Sequence, residues 1–209
     1  MTAPRIGILN LEMGNLRSVS NAVYSLGWDP ELVDSPDALD DLTHLVIPGV
    51  GAFHTAMRRM EERGLRDAVP AYAATGRPLL GLCLGMQLLA SSGEEGDPTP
   101  GLDLVPGHVE RLRPDLVPAI PHVGWNSMEL QREHPVVRGI RDGVDFYFVH
   151  SYRFAADSAD DVVGSTEYGQ VFASGVGRGN VVGFQFHPEK SQANGLKLID
   201  NFCAWDGRC

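Results

Sequence analysis

The sequence predicts an α/β fold: an open, mostly parallel twisted sheet flanked by helices, with additional antiparallel strands. Three observations lead there. Short apolar runs at residues 5–10, 44–48 and 79–82 each lead into a glycine-containing turn or loop, and helical spacing of apolar residues follows. That β-α alternation builds parallel sheets, because each helix carries the chain back across the sheet. Beyond residue 100 the pattern becomes richer in β-branched and aromatic residues, as in Phe146-Tyr-Phe-Val-His-Ser-Tyr152, which suits strands pairing partly antiparallel.

Taken in order, residues 5–10 (Arg-Ile-Gly-Ile-Leu-Asn) open as a strand, and Leu16, Val19, Val23 and Leu26 then recur at helical spacing before Gly27 stops the helix. The second strand, His44-Leu-Val-Ile-Pro48, runs into Gly49-Val50-Gly51. A proline followed by two glycines cannot extend a sheet, but it can expose backbone N–H groups in a loop able to switch conformation. Open α/β folds place their ligands at this end of a strand, so the loop is a candidate site. Met57 and Met60 read as core residues of the next helix, which ends near Gly64. Residues 91–100 form a polar, breaker-rich loop. Strand signals follow at 102–112, 146–154, 161–168, 171–176 and 181–186, and Leu196, Ile199 and Cys203 share one face of a final helix. No repeat, linker or low-complexity tract interrupts residues 1–209, which are expected to form one domain.

Seventeen basic against twenty-seven acidic side chains give a net charge of −10, which argues against a nucleic-acid partner. Three widely spaced cysteines do not make a disulfide framework and point to a reducing compartment. With no signal-like segment and no apolar run near the length of a membrane span, a cytoplasmic protein is expected. No His-x3-His or Cys-x2-Cys spacing occurs, so neither a metal nor another cofactor is expected.

The chemistry centres on Pro78-Leu-Leu-Gly-Leu-Cys-Leu-Gly-Met-Gln87. A buried strand turns directly into a helix there, with Gly81 and Gly85 two residues either side of Cys83. This is the Gly-x-nucleophile-x-Gly elbow, with cysteine as nucleophile. Alone, Cys83 also suits a buried small hydrophobe. A thiol nucleophile needs a base, and the base an orienter. His187-Pro188-Glu189 follows the 181–186 strand and supplies both, with Pro188 stiffening the turn. The remaining histidines lack a neighbouring cysteine or carboxylate pattern.

The residues Gly81-Leu-Cys-Leu-Gly-Met-Gln87 and His187-Pro-Glu189, in that order, closely resemble the class I (triad-type) glutamine amidotransferases over essentially the whole chain. Pro48-Gly-Val-Gly51, Gly14-Asn-Leu-Arg-Ser-Val19, Pro121-His-Val-Gly-Trp-Asn126, His150-Ser-Tyr152, Thr166-Glu-Tyr168 and the segment 183–191 narrow this to the glutaminase subunits of imidazole glycerol phosphate synthases. The resemblance implies hydrolysis of L-glutamine by Cys83, His187 and Glu189. It implies oxyanion donors from Leu84 and the Val50–Gly51 region, whose backbone must reorient when the partner binds its own ligand. It also implies that Gln87, Glu95, Ser151 and Tyr152 hold the amino-acid part of the substrate. Ammonia would pass to a separate cyclase subunit, with Asn15, Arg17, Trp125 and Asn126 as interface candidates. Trp125 reads equally well as a core residue. One departure stands out: Asn10-Leu11-Glu12 replaces an Asp-Tyr-Gly-like start of the first loop, and Glu12 brings a charge where a small residue is usual. Other amidotransferases share the triad but not residues 121–126 and 150–152, while a stand-alone cysteine hydrolase or a non-catalytic regulatory subunit would need no such partner or no triad.

Overall fold

The computed structural model describes residues 4–209, so the first three residues of the expected domain lie outside it. Thirteen strands are described: β1 (Ile6–Leu9), β2 (Pro30–Val33), β3 (His44–Gly49), β4 (Leu79–Cys83), β5 (Ser92–Gly93), β6 (Thr99–Pro100), β7 (Gly107–Arg111), β8 (His122–Leu130), β9 (Val144–His150), β10 (Tyr152–Ala156), β11 (Val162–Tyr168), β12 (Gln170–Arg178) and β13 (Val181–Phe184). The α-helices are α1 (Leu16–Ser25), α2 (Phe53–Glu62), α3 (Leu65–Ala74), α4 (Leu84–Leu88) and α5 (Gln192–Cys203).

The parallel centre of the sheet runs β2-β1-β3-β4-β13. From β13 the sheet continues antiparallel through β12, β10 and β7, with β5 and β6 at the end, while β11, β8 and β9 branch from β12. The open, mostly parallel sheet with antiparallel additions is therefore the observed architecture. Both faces of the inner parallel strands are covered, so β1, β3, β4 and β13 are buried throughout instead of alternating, while the edge strand β2 is exposed at Glu31 and Leu32. In β3, Leu45 and Ile47 pack toward Met57 and Met60 of α2, whereas Val46 faces the opposite core with Val19 and Val23 of α1 and Ile199 of α5. Among the described residues no helix is long and apolar enough to cross a membrane.

Several elements differ from the sequence reading. Residues 102–106 carry apolar side chains but form no strand; only Gly107–Arg111 does. The run 146–154 breaks at Ser151 into two strands with different partners, β8 for β9 and β7 for β10. The motif at 121–126 lies mostly in a nine-residue strand, β8, whose buried His122 and Met128 flank the exposed Val123 and Trp125. Helix α3 contains Pro70 and so loses one internal donor, a position where pattern reading alone would stop a helix.

The two glycines of the elbow are there for space. A Cβ on Gly81 would lie 2.5 Å from the Gly85 carbonyl oxygen, and one on Gly85 would lie 1.7 Å from that of Ile47. These clashes are with backbone, so no side-chain adjustment relieves them. Gly85→Ala is accordingly expected to destabilise the fold by about 3 kcal/mol through overpacking, read as a lower urea midpoint. An unchanged midpoint would mean that α4 can move away from β3.

Candidate active site

Strand β4 is paired on both sides, Pro48↔Leu82 and Gly49↔Cys83 with β3, and Leu82↔Phe184 with β13. The ends of β3, β4 and β13 therefore meet, and each delivers a loop to the same place. Cys83 sits at the corner with φ 53° and ψ −109°, a backbone region that side chains rarely adopt. It is 6% exposed and faces a pocket of about 360 Å³.

His187 lies three residues past β13. Its N–H donates to the Tyr147 carbonyl at 2.9 Å, and its carbonyl accepts from the Ser191 hydroxyl at 2.6 Å, so its backbone is held from both sides. Its Nδ1 is 2.8 Å from Glu189 Oε1. Because a carboxylate only accepts, Nδ1 carries a hydrogen and Nε2 is the nitrogen turned to other work. Nε2 is buried and makes no full hydrogen bond in this conformation. Burial pushes the His187 pKa down, but the neighbouring Cys83 sulfur and the Glu189 carboxylate outweigh it and raise the value to about 9. The Glu189 side chain is wholly buried, and its Oε2 has no partner.

Asn15 has an unanticipated position. It was placed by sequence on the partner surface, yet its side-chain amide donates to Glu189 Oε1 and approaches His187 Nδ1 at 3.5 Å. Asn15 precedes α1 in the left-handed region, φ 63°, which asparagine tolerates, and its side chain makes no capping bond to that helix. The amide is thereby free to support the carboxylate, the outer end of the Cys-His-Glu line.

Val50, Gly51, Leu84, Gln87, Glu95, Ser151 and Tyr152 all line the Cys83 pocket, together with Ala52, Pro121, Val149 and His150. Leu84 opens α4, where the first N–H groups lack intrahelical partners. Val50 differs: its N–H donates to the Met13 carbonyl at 3.3 Å, so this donor is occupied. Rotating the Gly49–Val50 peptide would release it, and Gly51 at φ +114° already uses glycine's freedom. Glu95 is held by α2, its Oε2 accepting the Phe53 N–H at 2.8 Å at the start of that helix.

The unusual Glu12 points onto α2. Its carboxylate lies 2.9 Å from Arg63 Nη2 and 4.0 Å from Arg59 Nη1, while Arg63 donates to the Asn10 carbonyl and Arg59 to that of Leu11. Two arginines thus tie the first loop, which carries Met13, to the helix that follows the Val50 loop. Of the other interface candidates, Arg17 is exposed and Trp125 is 48% exposed, against its reading as core. Asn126 is half-buried, and its amide donates to the Glu167 carbonyl at 2.9 Å. Gln185, fully buried two residues before His187, is a neighbour of Cys83 that the sequence reading passed over. Its place in a strand-end apolar run was the available signal.

A corner cysteine, a histidine held in one tautomer by a buried carboxylate, and backbone donors beside a pocket define a nucleophilic acyl-transfer site. The chain belongs to the class-I glutamine amidotransferase family, whose family model matches residues 8–204. It is 47% identical over 198 residues to imidazole glycerol phosphate synthase subunit HisH of Symbiobacterium thermophilum, covering 95% of this chain and 92% of that one. The protein of the same name from Moorella thermoacetica is 46% identical over 197 residues, covering 94% and 93%. Among solved structures, one described as a glutamine amidotransferase superposes with a TM-score of 0.75 at 23% identity, covering 96% of this chain and 99% of that one. PurLQS from Thermotoga maritima also gives 0.75, at 18% identity with 96% and 98% covered. At these identities the likeness to the solved structures is one of fold.

With His187 titrating near 9, its imidazolium is the form present at neutral pH. The rate of thiol-dependent turnover, as kcat/KM, is expected to fall as pH rises through about 9, where that proton is lost. Glu189→Gln removes one of the two groups that raise the value, so the alkaline limb should move to lower pH. A limb unmoved by Glu189→Gln would separate Glu189 from the titrating group.

Proposed function

We propose that this chain is the glutaminase subunit of imidazole glycerol phosphate synthase in histidine biosynthesis, with residues 1–209 acting as one domain. The observation that carries the reading is that the paired strands β4 and β13 end in Cys83 and in the His187–Glu189 pair, with the sulfur beside the imidazole, Nδ1 held at 2.8 Å and Nε2 left unpartnered. The relatives named as imidazole glycerol phosphate synthase subunit HisH support the choice of synthase.

In this reading L-glutamine enters the Cys83 pocket with its side-chain amide at the sulfur. Gln87 and the Ser151–Tyr152 segment bind its amino-acid end, and Glu95 contributes its carboxylate near the start of α2. The Cys83 thiolate adds to the amide carbon, and the tetrahedral oxygen takes the negative charge. Leu84 N–H and the released Val50 N–H stabilise that oxygen. The carbon–nitrogen bond then breaks as His187 Nε2 gives its proton to the departing ammonia, leaving a glutamyl thioester. Neutral His187 next accepts a proton from water, whose oxygen attacks the thioester carbon and releases glutamate and the thiolate. Glu189 keeps Nδ1–H in place through both halves.

Ammonia passes to a separate cyclase subunit. No phosphate-cradling glycine motif of Walker type lies in this chain to take a phosphorylated substrate itself. Arg17 and the exposed Val123 and Trp125 on β8 offer a surface for that subunit. A reducing, cytoplasmic setting fits three cysteines that form no disulfide.

The Val50–Met13 bond supports gating by the partner. One such bond contributes about 1 kcal/mol net and is one part of what holds the donor closed. A missing oxyanion donor costs about 10²–10³ in rate. Glutamate release is therefore expected to rise by about that factor when the cyclase and its ribotide ligand are added, and to vanish in Cys83→Ala. Equal activity without the cyclase would overturn the gate. Glutamine left intact in both settings would overturn the glutaminase reading itself.

A further inference from the structure

Gln185 touches the same sulfur as the triad. Its Nε2 is 3.8 Å from Cys83 Sγ, and its Oε1 is 3.1 Å from Gln87 Nε2. Gln87 Nε2 is in turn 3.2 Å from the Tyr152 carbonyl. An amide side chain can be turned either way, so the sense of such a chain has to be derived from a group that cannot be reversed. The Tyr152 carbonyl is that group, because it only accepts. Gln87 must therefore present its NH2 to it, and the same NH2 donates to Gln185 Oε1. Gln185 is then left with its own NH2 toward the sulfur. Turning Gln87 over would set oxygen against oxygen at both of its contacts, which burial makes costly.

A second arm fixes the same carbonyl. His150 Nδ1 lies 2.8 Å from Tyr152 O and so carries the hydrogen, leaving His150 Nε2 to accept from His122 Nδ1 at 2.9 Å. Gln185 is also held at its backbone, its N–H donating to the Ser174 carbonyl at 2.9 Å. The donor facing Cys83 is thus fixed in position and in direction. The other neighbour of the sulfur, the Val149 carbonyl at 3.8 Å, can only accept and so suits the thiol, not the thiolate.

We propose that Gln185 is a further catalytic residue of this site, an uncharged donor to Cys83 Sγ that favours the thiolate over the thiol. The inference rests on Cys83 being the nucleophile, as in the reading above. A hydrogen bond to the charged form of a group stabilises that form. His187 and Gln185 divide the work: the imidazolium supplies charge and a transferable proton, and the amide supplies a donor that never leaves.

The test is the pH dependence of Cys83 alkylation by iodoacetamide in the full chain, followed on the Cys83 peptide by mass spectrometry. This readout needs neither glutamine nor the cyclase. Gln185→Leu is expected to move the profile up by about one pH unit, so that below the wild-type midpoint it reacts about tenfold more slowly. Gln185→Glu keeps the shape and the acceptor for Gln87 but turns a carboxylate to the sulfur, and should move the profile further in the same direction. It also serves where the leucine variant fails to fold. A wild-type profile in either folded variant would overturn the proposal and leave Gln185 as packing. A wild-type Cys83 no more reactive than the exposed Cys209 would instead remove the nucleophile reading, and this proposal with it.

Discussion

At Cys83 the chain leaves a parallel strand and enters a helix within one residue, with φ 53° and ψ −109°. A backbone held there costs about 1–3 kcal/mol and persists only where its surroundings over-determine it. Here they do. Strands β3 and β13 pair with β4 up to the corner, and Gly81 and Gly85 admit carbonyl oxygens where any side chain would collide. The reward is placement: the thiol projects into the pocket, Leu84 N–H lies beside it, and the ends of three strands bring in Val50, Cys83 and, three residues past β13, His187. Relax the corner and these groups lose their common origin.

The layer beneath the site is aromatic. Phe146 stacks on Phe186 at 3.9 Å between centroids, and His122 stacks on Tyr168 at 3.9 Å and on Phe148 at 4.9 Å. Burial lowers the pKa of His122 to about 4; it lowers that of His150 to about 3, with nearby imidazoles adding to the effect. Both rings remain neutral at physiological pH, where they serve as one-way hydrogen-bond links within an apolar packing. The contrast with His187, raised to about 9 by a carboxylate and a sulfur, shows one residue type given opposite titration behaviour by its neighbours.

Much of this was legible in the residues. The elbow and the His-Pro-Glu turn are short-range patterns whose glycines and proline state a backbone requirement, and the alternation of apolar runs announces the parallel sheet. The Pro48–Gly51 loop could be read as mobile for the same reason. What could not be read is contact between distant positions. Asn15 and Glu189 are 174 residues apart, and nothing in either local pattern says that one supports the other. The same holds for Glu12, whose charge looked misplaced until Arg63, just past the end of α2, paired with it. Gln185 hid in an apolar run because its partners, Gln87 and Cys83, come from a different stretch of chain. Pattern also failed at Pro70, where packing of α3 overrides a poor helix former, and at 102–106, where burial of apolar residues needs no strand.

The single bond between Val50 N–H and the Met13 carbonyl has a kinetic meaning as well as a structural one. Releasing it asks for rotation of one peptide plane next to two glycines, with no repacking of the core. Loop motions of this kind take about nanoseconds to microseconds, whereas enzyme turnover takes about a millisecond to a second. The loop therefore samples both orientations many times within each catalytic cycle. In the proposed gate a bound partner would act on the fraction of time that the donor is open, not on how quickly it opens. Control of this kind is graded and leaves no memory of the previous cycle.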